Sequence, residues 1–236
     1  MKNPFKKKNN DLEELKEENT SVNETNAAPK KKRFGVLRAS LVFLLAATFI
    51  CGIVYPLSVT LVAQAMFPYE ANGSQIVVTL KDGTQRTYGS ELIGQQYEEP
   101  IYFFGRVNTG APSNLDPTSD EYKELLQTRV KERKEKLAEI GYTETSAIPA
   151  ELLTASGSGL DPHISPDTAK YQIDIVYQAR EKANATDSSI NKYSKEELQK
   201  IIDRYTENRF LFAFGEKTVN VLLVNLALDG LVESGL

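Results

Sequence analysis

The chain has 236 residues, 41% apolar and 25% charged, a balance that suits one globular domain once its longest apolar run is set aside. A single cysteine, Cys51, excludes an intrachain disulfide framework. Residues 1–67 hold 10 basic against 6 acidic residues, net +4, and the remainder hold 18 against 26, net −8. So acidic a C-terminal part is a poor match for nucleic acid, whose phosphates require Lys/Arg patches.

Residues 1–33 form the first expected segment, a disordered tail. Met1–Pro29 is rich in Lys, Asn and Glu and offers too little apolar surface to offset the entropy of ordering. Residues 34–68 are expected to form a transmembrane helix. Its apolar run, Ala39–Phe67, holds no charged residue and exceeds the roughly 20 residues a helix needs to cross hydrocarbon. A soluble core helix should show a polar face at a period near 3.6, and Ser40, Thr48, Ser58, Thr60 and Gln64 are too few for one. A cleaved signal peptide competes through Ala63-Gln64-Ala65, yet its apolar region would be only about 7–15 residues. Pro56 is expected to kink the helix and Pro68 to end it. Gly52, with Ala46, Ala47 and Ser58, is the candidate point of close packing against another helix. Lys30, Lys31, Lys32, Arg33 and Arg38 crowd the helix start, so the positive-inside rule places the N-terminus in the cytoplasm and residues 69–236 outside.

Residues 69–236 read as one extracytoplasmic α+β domain. Ala71-Asn72-Gly73-Ser74 is a turn, and Ile76–Leu80 and Gln85–Tyr88 flank Asp82-Gly83, the dipeptide of a type I′ hairpin. Ile101-Tyr102-Phe103-Phe104 reads as a short buried strand, followed by a loop over residues 107–120. Three helices follow. The first opens at the capping box Thr118-x-x-Glu121 and stops at Gly141, the second starts at Ser165-Pro166, and the third opens at Ser194-x-x-Glu197. Val219–Leu228 fits either an alternating strand or a helix beginning at Asn220.

The most unusual soluble stretch runs from Leu153 to Pro166, LTASGSGLDPHISP, and contains the chain's only histidine. A phosphate loop is one reading, because glycine-rich backbone at a helix start presents N–H groups, although no Gly-Lys-Ser/Thr follows. A serine nucleophile is a second, with Ser156 or Ser158 beside Asp161 and His163, although Gly-x-Ser-x-Gly is absent. A metal site has too few ligands, one histidine and no nearby cysteine. The simplest reading is a rigid turn whose Asp161, His163 and Ser165 cap backbone groups.

That stretch resembles the C subunit of the bacterial high-affinity potassium-transporting P-type ATPase, the Kdp complex. So do Tyr55-Pro56-Leu57, Ala71–Ser74, Gly89–Gln95, Tyr102-Phe103-x-Gly105-Arg106 and the run Val219–Asp229 with Asn220 and Asn225. The matches run in order from about Leu37 to Asp229, and the tail before Lys30 is longer than is usual in the family. The resemblance implies a non-catalytic subunit that spans the membrane once. Its partners would be a channel-like potassium-binding subunit, the P-type ATPase catalytic subunit, a small single-span subunit and the lipid bilayer. No cofactor is expected on this chain itself, ATP and K⁺ acting at the complex. ATP has been a candidate ligand for the family, but no nucleotide motif is present here. Ser156, Gly157, Ser158, Gly159, Asp161, His163, Asn220 and Asn225 are the candidate family-motif or interface residues. In keeping with this, the chain lacks Asp-Lys-Thr-Gly and any Walker loop. Two rivals remain from other classes: a freestanding membrane-anchored enzyme and a surface solute-binding protein, each using Ser156–Ser165.

Overall fold

The computed structural model describes residues 33–209, 211 and 213–233, so the expected tail lies almost wholly outside the described residues. Two units divide at Ala63/Gln64. The first is carried by a continuous helical rod made of α1 (Arg33–Phe49), a π-helical turn (Ile50–Val54) and the start of α2 (Tyr55–Met66). Its 32-residue stretch Gly35–Met66 is long and apolar enough to cross a membrane, and no residue of its apolar window is buried. A core helix would bury that surface against neighbours, so that alternative fails. Here Phe43 is 75% exposed and Leu61 70%. The π turn has a local cause. Pro56 has no N–H to donate, and in a regular α-helix its ring would press on the carbonyl four residues back. Widening by one residue lets the Tyr55 N–H reach the Ile50 carbonyl instead, so the expected kink is realised as a π turn.

In the second unit, one turn of helix, α3 (Pro68–Ala71), leads to the antiparallel pair β1 (Gln75–Thr79) and β2 (Gln85–Ser90). The connection is not type I′, because only Gly83 has positive φ, at +84°. The Gly83 N–H donates to the Leu80 carbonyl (2.9 Å) and the Leu80 N–H to the Thr84 carbonyl (2.8 Å). That is a type I turn followed by a left-handed glycine bulge, and the Asp82 carboxylate, which accepts from the Thr84 N–H and hydroxyl, holds it.

The helices follow their caps with two shifts. α4 (Asp120–Glu139) is capped by Ser119 and not Thr118, because Asp116 already holds the Thr118 N–H and hydroxyl. Gly141, at φ +81°, stops it as its sequence position suggests. Ser165 caps α5 (Pro166–Tyr171), and the expected single second helix breaks at Gln172 before resuming as α6 (Ile173–Thr186). α7 (Lys195–Arg204) carries the complete Ser194/Glu197 capping box. Short strands β3 (His163–Ile164) and β4 (Thr206–Glu207) flank β5 (Thr218–Asn220), and strands of two or three residues are too short to carry a period-2 signal.

Asn220 then ends β5 and caps α8 (Val221–Leu228), resolving the strand-or-helix ambiguity of Val219–Leu228 in favour of both in succession. Seven of the eight α8 residues are buried, so this helix is apolar nearly all round and has no amphipathic period to read. The core closes around it with Phe103, Ile164, Val176, Leu198, Ile201, Ile202 and Val219.

Ile101–Phe104 is buried at Phe103 and Phe104 but joins no sheet, which corrects the strand expectation. Side-chain amides take the place of neighbouring strands. Asn225 accepts from the Phe103 N–H (2.8 Å) and donates to the Phe103 carbonyl (2.9 Å). Gln172 does the same for Phe104, at 2.8 and 3.1 Å. Replacing Asn225 by Ala leaves two buried backbone groups unpaired, at about 1–3 kcal/mol each. We expect Asn225→Ala to lower unfolding free energy by about 2–5 kcal/mol. Val77→Ala, at a 50% exposed position, should stay within about 0.5 kcal/mol. Urea titration of the solubilised chain checks both, and equal midpoints would show that the amide bridge carries no stability.

Candidate functional site

The Leu153–Pro166 stretch leaves the 3₁₀ turn Ala150–Leu152 and feeds β3 and α5. Its serine hydroxyls bond back onto the turn itself. The hydroxyls of Ser156 and Ser158 lie 3.2 Å apart, Ser158 accepts from the Leu160 N–H (3.2 Å) and Ser156 from the Asp161 N–H (3.3 Å). The Gly159 N–H donates to the Ser156 carbonyl at 3.1 Å. The carbonyls point outward and bind the surroundings. Gly159 accepts from the Thr109 and Gly110 N–H groups (3.1 and 3.2 Å), Leu160 from Gly94 (2.7 Å) and Pro162 from Val221 (3.1 Å). Of the two candidate glycines only Gly159 is sterically demanded. Its φ is +69° and a Cβ would lie 2.6 Å from the Ala111 backbone N and O, whereas a Cβ at Gly157 meets nothing within 4 Å.

Next to this turn runs a chain of alternating charge. Asp161 Oδ1 accepts from the His163 backbone N–H (3.0 Å) and lies 3.3 Å from His163 Nδ1. Asp161 Oδ2 is 3.4 Å from Arg106 Nε, and Arg106 Nη2 is 3.6 Å from Glu151 Oε1. Glu151 Oε2 accepts from the Ser165 N–H (2.9 Å) and hydroxyl (3.1 Å), and Ser165 in turn caps α5 through the Thr168 N–H. At the far end His163 Nε2 is buried without a hydrogen-bond partner, 3.9 Å from Glu207 Oε1 on β4. Burial pushes the Glu151 carboxyl upward, but the bonds from Ser165 and Thr168 and the Arg106 charge outweigh it, so it titrates below the ordinary glutamate range.

This arrangement favours the capping reading of Asp161 and Ser165, while His163 acts through its backbone N–H and ring as Asp161's partner. The ring nitrogens of His163 face carboxylates, not Ser156 or Ser158, so the nucleophile–base pair of a serine hydrolase is not assembled. Of the amides that a phosphate loop could aim at a ligand, those of Gly159, Leu160 and Asp161 are already engaged within the turn. Among the described residues no group of three or more His, Cys, Asp or Glu has a metal-binding arrangement.

The other candidates are elsewhere. Asn225 holds Phe103, while Asn220 caps α8 through the Leu223 N–H (3.2 Å) and donates to the Glu91 carbonyl (2.8 Å). Gly52 lies in the π turn, and a Cβ there would meet nothing within 4 Å. Reading the sequence alone missed Glu151 and Glu207 as members of the charge chain. Arg106 was visible only as part of a motif, for nothing local pairs it with residues 45 and 55 positions away.

The model of the family described as "K+-transporting ATPase, c chain" matches residues 37–230. The chain belongs to the KdpC family. A KdpC subunit from Clostridium perfringens is 44% identical over 214 residues, covering 84% of this chain and 98% of that protein. One from Sorangium cellulosum is 41% identical over 204 residues (82% and 97%), and one from Listeria monocytogenes serovar 1/2a is 41% identical over 202 residues (85% and 98%). Each is named a potassium-transporting ATPase KdpC subunit. The KdpC match thus takes in the apolar helix, the Ser156–Ser165 turn and α8 together.

Because the folded Glu151 carboxyl titrates below its unfolded value, the stability it contributes is complete above the unfolded pKa and is lost as pH falls through the folded one. We expect Glu151→Gln to lower the denaturation midpoint at pH 7, with the gap to the parent closing as pH drops below about 4. Urea midpoints by circular dichroism between pH 3 and 8 check this; a gap constant across the range would remove Glu151 from the latch.

Proposed function

We propose that the chain is a non-catalytic, single-span subunit of an ATP-driven potassium uptake pump, which assists assembly and high-affinity uptake of K⁺. The observation that carries this reading is a family match that runs unbroken through helix and domain, from residue 37 to 230. Its partners are the channel-like potassium-binding subunit, the P-type ATPase catalytic subunit, a small single-span subunit and the bilayer. ATP and K⁺ act on those other chains. In this reading residues 1–33 are a cytoplasmic tail, 34–68 the membrane helix and 69–236 the extracytoplasmic domain, an orientation supported by the basic cluster Lys30–Arg33 with Arg38.

The rival membrane-anchored enzyme or solute binder would need open chemistry in Ser156–Ser165. The inward hydrogen bonds of Ser156 and Ser158 and the outward carbonyls support a latch instead. Purification in mild detergent separates the readings, because a pump subunit brings the three partner chains with it. Gly52 is the proposed packing point in the membrane, where a small residue permits close backbone approach. We expect Gly52→Leu to reduce the co-purified partners several-fold and Leu45→Ile to leave them unchanged. A lone, monodisperse parent with hydrolase activity lost on His163→Ala would overturn the assignment.

The domain's net −8 also supports a contribution to K⁺ capture, since a negative field near a pump's outer mouth raises local cation concentration within a Debye length of about 8 Å. Local partners reduce the effect. Glu98 pairs with Lys136 (3.3 Å), Asp120, the first residue of α4 and not a loop residue, pairs with Lys123 (3.0 Å), and Asp116 is engaged by Thr118. We expect joint neutralisation of Glu98, Glu99, Asp116 and Asp120 to raise the half-saturating K⁺ of the pump's ATPase activity less than threefold at low ionic strength. At high ionic strength there should be no effect, and K⁺ over Na⁺ preference should be unaltered throughout. Identical curves at both ionic strengths would leave the domain a purely mechanical role.

A further inference from the structure

Away from the Ser156–Ser165 latch, α4 presents two arginines one turn apart. Arg129 Nη1 donates to the Leu153 carbonyl at 2.7 Å and Arg133 Nη2 to the Leu152 carbonyl at 3.1 Å. Each guanidinium is a planar fork with five N–H donors, so these bonds occupy one arm of each and leave the rest unassigned. Among the described residues none of their remaining nitrogens is both fully buried and without a partner, so the free arms keep access to the space beside them. That space is a cleft of about 160 Å³, lined also by Gln96, Tyr97, Glu132 and Lys136.

The electrostatics of the cleft are incomplete. Among the described residues neither Arg129 nor Arg133 forms an ion pair; the exposed Arg38, Arg86 and Arg209 form none either, but of the arginines at least partly buried, Arg106 and Arg180 both do. Arg133 Cζ lies over the Phe104 ring, 4.1 Å from its centroid, so the cation rests on the ring face. Desolvation there lowers the Arg133 pKa to about 10, opposed only by Tyr171, so no carboxylate offsets the cost of burying this charge. Lys136 adds a third cation, shared with Glu98 at 3.3 Å, and Glu132 is the single acidic residue on the wall. The surplus stands out on a domain of net −8.

We propose that this cleft binds a tetrahedral oxyanion, the phosphate group, gripped by the free arms of Arg129 and Arg133 with Lys136 at the rim. Two adjacent forks match the oxygens of a phosphate in pairs, which a point charge does not. The volume admits one such group and falls below the roughly 300 Å³ at which pockets for larger ligands begin. The phosphate is either free inorganic phosphate or the phosphodiester headgroup of an anionic lipid.

The test uses the full chain and observes the Nε–H resonances of Arg129 and Arg133. In one arm the chain sits in neutral detergent and is titrated with inorganic phosphate against sodium chloride of equal ionic strength. In the other it sits in nanodiscs of phosphatidylglycerol or of phosphatidylcholine, without added phosphate. We expect saturable shifts of both resonances in at least one arm. A response in the first identifies free phosphate as the source, and a response to phosphatidylglycerol alone identifies the headgroup. Arg129→Gln should weaken the binding at least tenfold. Arg129→Lys, which keeps the charge and loses the fork, should fold normally and weaken it severalfold. Silence in both arms overturns the proposal, as does binding undiminished in Arg129→Lys, or shifts that appear only when another chain of the ATPase is added.

Discussion

The domain is built around an extended segment that has no neighbouring strand. Phe103 and Phe104 must be buried for the core to close around α8, and burial forbids leaving their N–H and carbonyl groups unpaired. Asn225 and Gln172 supply those partners, each acting as a single peptide unit of an absent strand. The consequence reaches far along the chain, since these bonds join residues separated by 122 and 68 positions. α8 and the α5–α6 junction are therefore fixed to the same segment from two sides.

Arg180 completes the arrangement with charge. Only 2% exposed, it donates to the carbonyls of Ile101, Asn191 and Leu228 and pairs with Asp229 at 3.0 Å. It thereby satisfies the end of α8 as a cation should at a helix C-terminus, and at the same time ties Ile101 into the core. Tyr102 lies against it and donates to Asp229, and burial followed by that hydrogen bond pushes the phenol up to about 12, so it remains a donor at any ordinary pH. With Asp229 partly in solvent, the pair itself contributes little to net stability, but the buried guanidinium is a strong constraint on which arrangement of Ile101, Asn191 and Leu228 is allowed.

What could be read from the sequence follows from how local the signal was. The membrane-length helix rests on one unbroken apolar run, and the Ser165-Pro166 start, the Ser194/Glu197 box and the Gly141 stop each rest on residues within a turn of one another; all appear where expected. Thr118 failed as a cap because Asp116, two residues upstream, competes for it, and the Asp82-Gly83 turn changed type because a third loop residue absorbs the positive φ at Gly83 alone. Ile101–Phe104 was read as a strand because its burial and β-propensity are those of a strand. No local pattern announces amide side chains arriving from residues 172 and 225. The Ser156–Ser165 turn was conspicuous for the same reason its partners were not: small residues crowd into one short stretch, while Arg106, Glu151 and Glu207 are single charged residues in ordinary surroundings.

The same facts bear on how such a domain can act in a pump. Selectivity between K⁺ and Na⁺ requires coordinating oxygens at ion-contact distance, and the carbonyls of the most suggestive turn, Gly159, Leu160 and Pro162, are occupied by backbone N–H groups. A field from acidic side chains acts on both ions alike and is shortened by salt and by local partners such as Lys123 and Lys136. In the proposed role, any effect beyond that field is mechanical. A body whose buried polar groups are cross-linked through Asn225, Gln172, Arg180 and the Glu151–Arg106–Asp161 chain deforms little, so it biases a partner's conformations only by fitting one of them better than another. A tenfold change in apparent ion affinity needs a difference of about 1.4 kcal/mol between those fits. That is the scale of one hydrogen bond made in one state and lost in the other, which a rigid surface can deliver and a compliant one would average away.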